Sequence, residues 1–256
     1  MKPLNGARIL VTRPVDQANK LSELIAEHGG EAICLPTVAI VEHEDRVNIQ
    51  KKMANLSEFQ WLVFISANAV NFAVKANSGK IPHNHSLGVV AIGPATAQAL
   101  QSAGMAVDLM PTELHSSEAL LAMPQMQAID GQCFLIVRGS GGREDLASSL
   151  RARGAKVNYL EVYNRIIPRV DNSYVLALLT TNTLDVVTAT SVEILQNLVV
   201  IIGAEAHQQL LKVPLVVMSE RIRCVAVEMG FERVAVTKHP SDTAILETVT
   251  TYVTGA

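Results

Sequence analysis

The sequence predicts an α/β fold of two similar doubly wound parallel-sheet domains joined by a two-stranded β-ladder, with a ligand site in the cleft between them. Three observations carry this prediction. The first is an internal repeat: Ile9-Leu-Val-Thr-Arg-Pro14 and Phe134-Leu-Ile-Val-Arg-Gly139 are both apolar runs closed by an arginine, and the segments downstream of them also match. Arg13 and Arg138, Gly29 and Gly154, and Leu35 and Leu160 all lie 125 positions apart; Val90-Ala-Ile-Gly93 and Val216-Val-Met-Ser219 open a second matched pair, with Gly104 and Gly230, and Ser117 and Thr243, offset by 126. The second is a series of short apolar runs without polar alternation, the pattern of strands buried on both faces. The third is the helical spacing between those runs.

In chain order the expected strands are 7–12, 31–35, 61–66, 88–92, 133–138, 156–162, 184–188, 215–218 and 233–237. Ala18, Leu21, Ile25 and His28 place an apolar stripe on a helix after Pro14, Leu146 and Leu150 repeat the spacing, and Ile222, Val225, Ala226 and Met229 do so again. Two β-prone stretches, 36–45 and 160–168, occupy matching places after the second strand of each copy. Paired with each other they form the connection between lobes. The chain then divides into a discontinuous domain of residues 1–34 with 171–256, an inserted domain of 46–158, and connecting strands at 35–45 and 159–170.

With 256 residues, of which 49% are hydrophobic, the chain is long enough for two modest cores without disulfides or metal. Its period is too long for a solenoid, so the repeat marks a duplication. Apolar runs such as Leu198-Val-Val-Ile-Ile202 stay far below the roughly 20 residues of a bilayer span. Met1-Lys-Pro-Leu-Asn-Gly6 leads straight into a strand without a leader-like block, and the odd, separated cysteines Cys34, Cys133 and Cys224 read as small hydrophobes, so cytoplasmic residence is expected. A net charge of −3 and the lack of a basic stripe interleaved with aromatics argue against nucleic acid as a partner.

The candidate chemistry lies at the strand ends: Thr12-Arg13, Ser66-Ala-Asn68, Gly93-Pro-Ala-Thr96, Arg138-Gly-Ser-Gly-Gly142, Thr188-Ala-Thr190-Ser191 and Ser219-Glu-Arg221. In open α/β sheets, ligands bind beyond the carboxyl ends of strands, where the next helix presents unpaired N–H groups to anions. Any one of these Ser or Thr residues also reads as an ordinary N-cap; together, from two lobes, they read as a set of anion donors. Gly139-Ser140-Gly-Gly142 lacks the Lys-Ser/Thr of a P-loop and the spacing of a dinucleotide fingerprint. His83 and His85 have no accompanying Cys or carboxylate cluster and read as loop residues rather than metal ligands. No Gly-x-Ser-x-Gly elbow supports hydrolase chemistry. Tyr163 stands apart, because its counterpart 125 positions earlier is Val38 and the repeat gives no structural reason for a phenol there. It is either a β-prone aromatic packed on the ladder or an O–H donor aimed into the cleft.

Leu10-Val-Thr-Arg-Pro14, Phe64-Ile-Ser-Ala-Asn-Ala-Val70, Val90-Ala-Ile-Gly-Pro-Ala-Thr-Ala97, the Val162-Tyr163 connector and Lys238-His-Pro-Ser-Asp-Thr243 resemble, in this order and over nearly the whole chain, the uroporphyrinogen-III synthase family. The resemblance implies a cofactor-free and metal-free monomeric enzyme that cyclises hydroxymethylbilane, a linear tetrapyrrole, into uroporphyrinogen III with loss of water and inversion of ring D through a spiro intermediate. It also implies Tyr163 as the donor that assists departure of the hydroxyl. Ser66 and Thr96 match family binding positions directly. Asn68 stands where some members carry Arg, and Ser219-Glu-Arg-Ile222 replaces a Gly-Pro-Thr-Thr type of sequence. The expected substrate-binding set is Thr12, Arg13, Ser66, Asn68, Thr96, Arg138, Gly139, Ser140, Thr190, Ser191 and Ser219. The alternatives are a non-catalytic protein of the same fold that binds a tetrapyrrole or another anionic small molecule, and a two-lobed sensor, for which no helix-turn-helix is visible.

Overall fold

A computed structural model describes residues 2–82, 87–112, 116–142 and 144–255. The elements run, in chain order, β1 (Arg8–Val11), α1 (Val15–Glu27), β2 (Glu31–Cys34), β3 (Ala39–Glu42), α2 (Arg46–Ala54), β4 (Trp61–Phe64), α3 (Ala67–Ala76), β5 (Gly88–Ala91), α4 (Pro94–Ser102), α5 (Ser117–Ala122), β6 (Cys133–Gly139), α6 (Asp145–Ala152), β7 (Lys156–Ile166), α7 (Ser173–Thr180), β8 (Val186–Ala189), α8 (Val192–Ile202), α9 (His207–Lys212), β9 (Leu215–Val217), α10 (Glu220–Glu228), β10 (Val234–Val236) and α11 (Asp242–Thr254). Each expected apolar run is a strand. The chain falls into two compact units, one of residues 1–39 with 166–256 and one of residues 40–165.

In the first unit the sheet order is β10-β9-β8-β1-β2, and its strand pairs are parallel. Alternate residues of β1 serve opposite faces: Leu10 packs with α7, α8, α9 and α10, whereas Ile9 and Val11 pack with α1 and α11. Covering both faces explains the continuous apolar runs, since neither side of the strand meets water. Each fully buried Leu or Val contributes about 1.5–3 kcal/mol relative to exposure. Ala18, Leu21 and Ile25 are the buried face of α1, and Ile222 and Ala226 that of α10, as their spacing predicts.

The second unit has the order β3-β7-β6-β4-β5, with α2, α3 and α4 on one face and α5 and α6 on the other. Its topology copies the first. β6 and β7 stand for β1 and β2, β4 and β5 for β8 and β9, and a parallel bridge from Val90 to Leu109 lies where β9 meets β10: Val90 and Leu109 precede Val216 and Ala235 by 126 positions each. The stretches read as connectors do pair, since β3 lies beside β7 and the His43 N–H donates to the Val162 carbonyl at 3.3 Å. The second stretch is no separate element, however. β7 is one strand of 11 residues that absorbs it.

The cysteines are free, and two of them correct the sequence expectation: Cys34 at the end of β2 and Cys224 on α10 are exposed, while Cys133 is half-buried. No helix among the described residues is long and apolar enough to cross a membrane.

Candidate functional site

After β4, β8 and β9 the chain enters helices whose first turns are closed by serine, whereas α1, α4 and α6 begin without a side-chain cap. Ser66, Ser191 and Ser219 hold extended backbone angles, and their Oγ atoms accept the Ala69, Ile194 and Ile222 N–H groups at 3.1, 3.1 and 3.4 Å. The capping role weighed from sequence is therefore real. It uses each oxygen as an acceptor and leaves the hydroxyl hydrogen and the remaining first-turn N–H groups to act as donors. Asn68 is half-buried in the first turn of α3, and Thr96 is buried at the third position of α4 behind Gly93 and Pro94. Thr190 is half-buried in the bend between β8 and Ser191.

The strand-end residues of β1 and β6 turn mostly inward. Thr12 Oγ1 donates to the Thr188 carbonyl at 2.5 Å, and Thr188 Oγ1 returns a bond to the Leu10 carbonyl at 2.9 Å, so the pair locks β1 to β8. Arg13 donates to Asp242 at 2.5 Å, joining the first and last family-like motifs, and approaches Met218 Sδ at 3.5 Å. Arg138 is 3% exposed; it donates to the Gly139 carbonyl (3.2 Å), Glu144 (3.0 Å) and the Gly142 carbonyl (2.8 Å), and its guanidinium stacks 4.4 Å from the Tyr159 ring centroid. Both arginines thus spend donors on their own chain.

Tyr163 is 5% exposed and sits within the α2-α3-α4 face of the second core. Its ring lies 5.5 Å from that of Phe72, and its hydroxyl is 3.4 Å from Ser66 Oγ, so the phenol ends at the N-terminus of α3. Gly139 lies opposite it in the sheet, and the Ser140 N–H donates to the Tyr163 carbonyl at 2.9 Å. Ser140 Oγ is buried with no hydrogen-bond partner among the described residues, an orphaned donor beside the tyrosine.

On the other face of the second sheet, a cavity of about 490 Å³ opens at the ends of β4, β5 and β6, lined by Ile65, Ile92, Ser116, Arg138, Tyr159 and Arg165 among others. Tyr159 donates to Glu144 in a very short contact. The Glu144 carboxyl is held below its ordinary range, first by the Tyr159 hydroxyl and then by Arg138, while burial and the neighbouring carboxylate raise the Tyr159 phenol. Sequence reasoning did not select Tyr159 or Glu144. The signal was present, because Tyr159 lies 125 positions after Cys34 and is another phenol that the repeat does not account for.

Among the described residues no group of His, Cys, Asp or Glu side chains is arranged to hold a metal ion, and His83 and His85 lie outside the described residues.

Fold and site together define a duplicated α/β protein with serine-capped helix starts at its strand ends and a strand-borne phenol among them. The family model described as uroporphyrinogen-III synthase HemD matches residues 19–247, and the chain belongs to that family, an enzyme family of the lyase class. It is 32% identical over 241 residues to the uroporphyrinogen-III synthase of Salmonella typhimurium, covering 93% of this chain and 98% of that one. The Escherichia coli K12 enzyme is likewise 32% identical, over 242 residues, with the same coverage. Among solved structures, a mutant uroporphyrinogen III synthase of Thermus thermophilus aligns with a TM-score of 0.64 at 15% identity, over 98% of this chain and 100% of that one. The Helicobacter pylori 26695 uroporphyrinogen-III synthetase aligns at 0.61 and 14% identity, over 95% and 97%. At such identities these two structures speak for the fold alone.

Proposed function

We infer that this chain cyclises hydroxymethylbilane to uroporphyrinogen III, within tetrapyrrole biosynthesis. Departure of the ring A hydroxyl as water leaves a cationic azafulvene. The substituted carbon of ring D attacks it, and the spiro intermediate fragments and recloses with that ring inverted. Since the uncatalysed closure gives the uninverted isomer, the enzyme's contribution is to enforce one folded geometry of the substrate and to stabilise developing charge.

Tyr163 is the proposed catalytic residue. Its phenol O–H can donate to the leaving hydroxyl, which departs as water once protonated. The observation that carries this assignment is the approach of the phenol to Ser66 Oγ, 3.4 Å, at the start of α3, which places its O–H among the first-turn N–H groups that favour an anion. Ser66, Ser191 and Ser219, with Asn68, Thr96, Gly139, Ser140 and Thr190, are proposed to hold substrate carboxylates through hydroxyl and backbone donors; a hydrogen bond to a charged group nets about 1.5–3 kcal/mol, so a few suffice in an acidic protein. Thr12, Arg13 and Arg138 belong to the same proposed set, the two arginines by exchanging an internal partner for a substrate carboxylate.

The same reading takes residues 1–34 with 171–256 and residues 46–158 as the two domains, joined by 35–45 and 159–170. It also takes the enzyme to be a cytoplasmic monomer that needs no cofactor. The test is direct. Purified protein given hydroxymethylbilane without additives is expected to yield the type III isomer after oxidation and chromatography; type I product alone would refute the assignment.

A further inference from the structure

We propose that Gly139 and a β-bulge at Val162 form a seat that aims the Tyr163 phenol at Ser66, which gives Gly139 a positioning role beside its proposed backbone contact to substrate. The proposal rests on the reading of Tyr163 as the catalytic donor.

Between β6 and β7 the register runs regularly from Cys133 opposite Lys156 to Arg138 opposite Glu161, then jumps so that Gly139 faces Tyr163. Val162 is the extra residue. In an unbroken strand, neighbouring side chains point to opposite faces, so Val162 and Tyr163 belong on different sides of the sheet. Both lie in the same core cluster, together with Leu160. The bulge is what brings Tyr163 onto that face, a known use of bulges in re-aiming a side chain. The bond from the Ser140 N–H to the Tyr163 carbonyl at 2.9 Å fixes the shifted register.

Gly139 completes the device. Its φ is not positive, so its backbone makes no demand for glycine. The demand comes from the ring: the three nearest atoms to a Cβ at position 139 all belong to Tyr163, with Cζ at 2.6 Å and Cδ2 at 2.9 Å, distances that real Cβ contacts do not reach. Any side chain there pushes the ring away from Gly139 and moves the hydroxyl relative to Ser66. Phe72, 5.5 Å away across the ring, limits the space into which it can retreat.

The test compares Gly139→Ala, Tyr163→Phe and Tyr163→Ala singly with the doubles G139A/Y163F and G139A/Y163A, reading kcat, KM and Tm. Gly139→Ala is expected to lower kcat about 10- to 100-fold, as misplacement of a reacting group by an ångström does, with KM nearly unchanged. In the Tyr163→Phe background it should cost less than about 2-fold more, because the hydroxyl it displaces is already gone. Its Tm loss, roughly 5 °C, should persist in the Phe background and vanish in the Ala background, where no ring is met. Multiplicative kcat losses in G139A/Y163F would overturn the positioning role. An equal Tm loss in both backgrounds would overturn the seat. If Gly139→Ala alone fails to fold, rescue of folding by Tyr163→Ala supports the seat, and failure of both contradicts it. An unchanged rate for Tyr163→Phe would instead defeat the donor assignment, while the Tm comparison still tests the seat.

Discussion

The two units are copies in topology and opposites in what they do with equivalent positions. In the first unit, the chain beyond β2 places Val38, 2% exposed, in an apolar core, beside a Thr37 hydroxyl that donates to the Thr12 and Ile194 carbonyls at 3.2 and 3.0 Å. In the second, Val162 stands where Thr37 does, and Tyr163 where Val38 does; a bulge and a glycine turn that tyrosine toward Ser66. Arg13 meets Asp242 in its unit, whereas Arg138 is enclosed by two backbone carbonyls, Glu144 and the Tyr159 ring in the other. Duplication supplies the scaffold and its helix starts twice, but specialised chemistry needs one copy to depart from it. The departures gather on β7.

Making the second unit resemble the first should have the largest effect. Tyr163→Val is expected to reduce turnover by more than about 100-fold and to cost stability, since the valine leaves a cavity against Gly139 and Phe72; the reverse change, Val38→Tyr, should overpack the first core by about 1–3 kcal/mol without any gain in rate. Steady-state kinetics and denaturant melts measure both, and a Tyr163→Val enzyme of normal activity would erase the functional difference between the copies. Next comes Arg138→Ala. Losing a buried guanidinium with several partners is expected to destabilise by about 2–4 kcal/mol, against about 1–2 kcal/mol for Arg13→Ala, by urea unfolding. Equal losses would show that the enclosure of Arg138 adds nothing. A fall in substrate affinity without loss of stability would make either arginine a direct carboxylate ligand.

The smallest effect concerns pH. Because Glu144 has its pKa lowered in the folded protein, its contribution is fully present above the ordinary carboxylate value and is lost as pH falls through the folded-state value. Tyr159→Phe removes the leading cause of that lowering. Its Tm deficit should therefore be seen near pH 7 and shrink by about pH 3. A deficit independent of pH would mean that Tyr159 acts through packing alone.

Much of the fold was legible because β1, β4, β5, β6, β8 and β9 are buried almost throughout, which leaves continuous apolar runs in the sequence. The repeat made Tyr163 legible by contrast with Val38. The inward turn of Arg13 and Arg138 was not: an arginine closing a strand looks the same in sequence whether it faces an anion or folds back on Asp242 or the Gly142 carbonyl. The exposure of Cys34 and Cys224 escaped for a related reason, since an apolar neighbourhood in sequence does not say which side of a helix or edge strand a residue takes. The bulge at Val162 leaves no mark in composition, as Val162 and Tyr163 are both ordinary strand residues. It emerges only from the register against β6.

Single-turnover kinetics of Tyr163→Phe with hydroxymethylbilane show whether the chemistry sits where the copies part, at position 163. The rate is expected to fall by up to about 100-fold, with an unchanged Tm and the type III isomer still formed. A wild-type rate would contradict it and leave Tyr163 a packing residue.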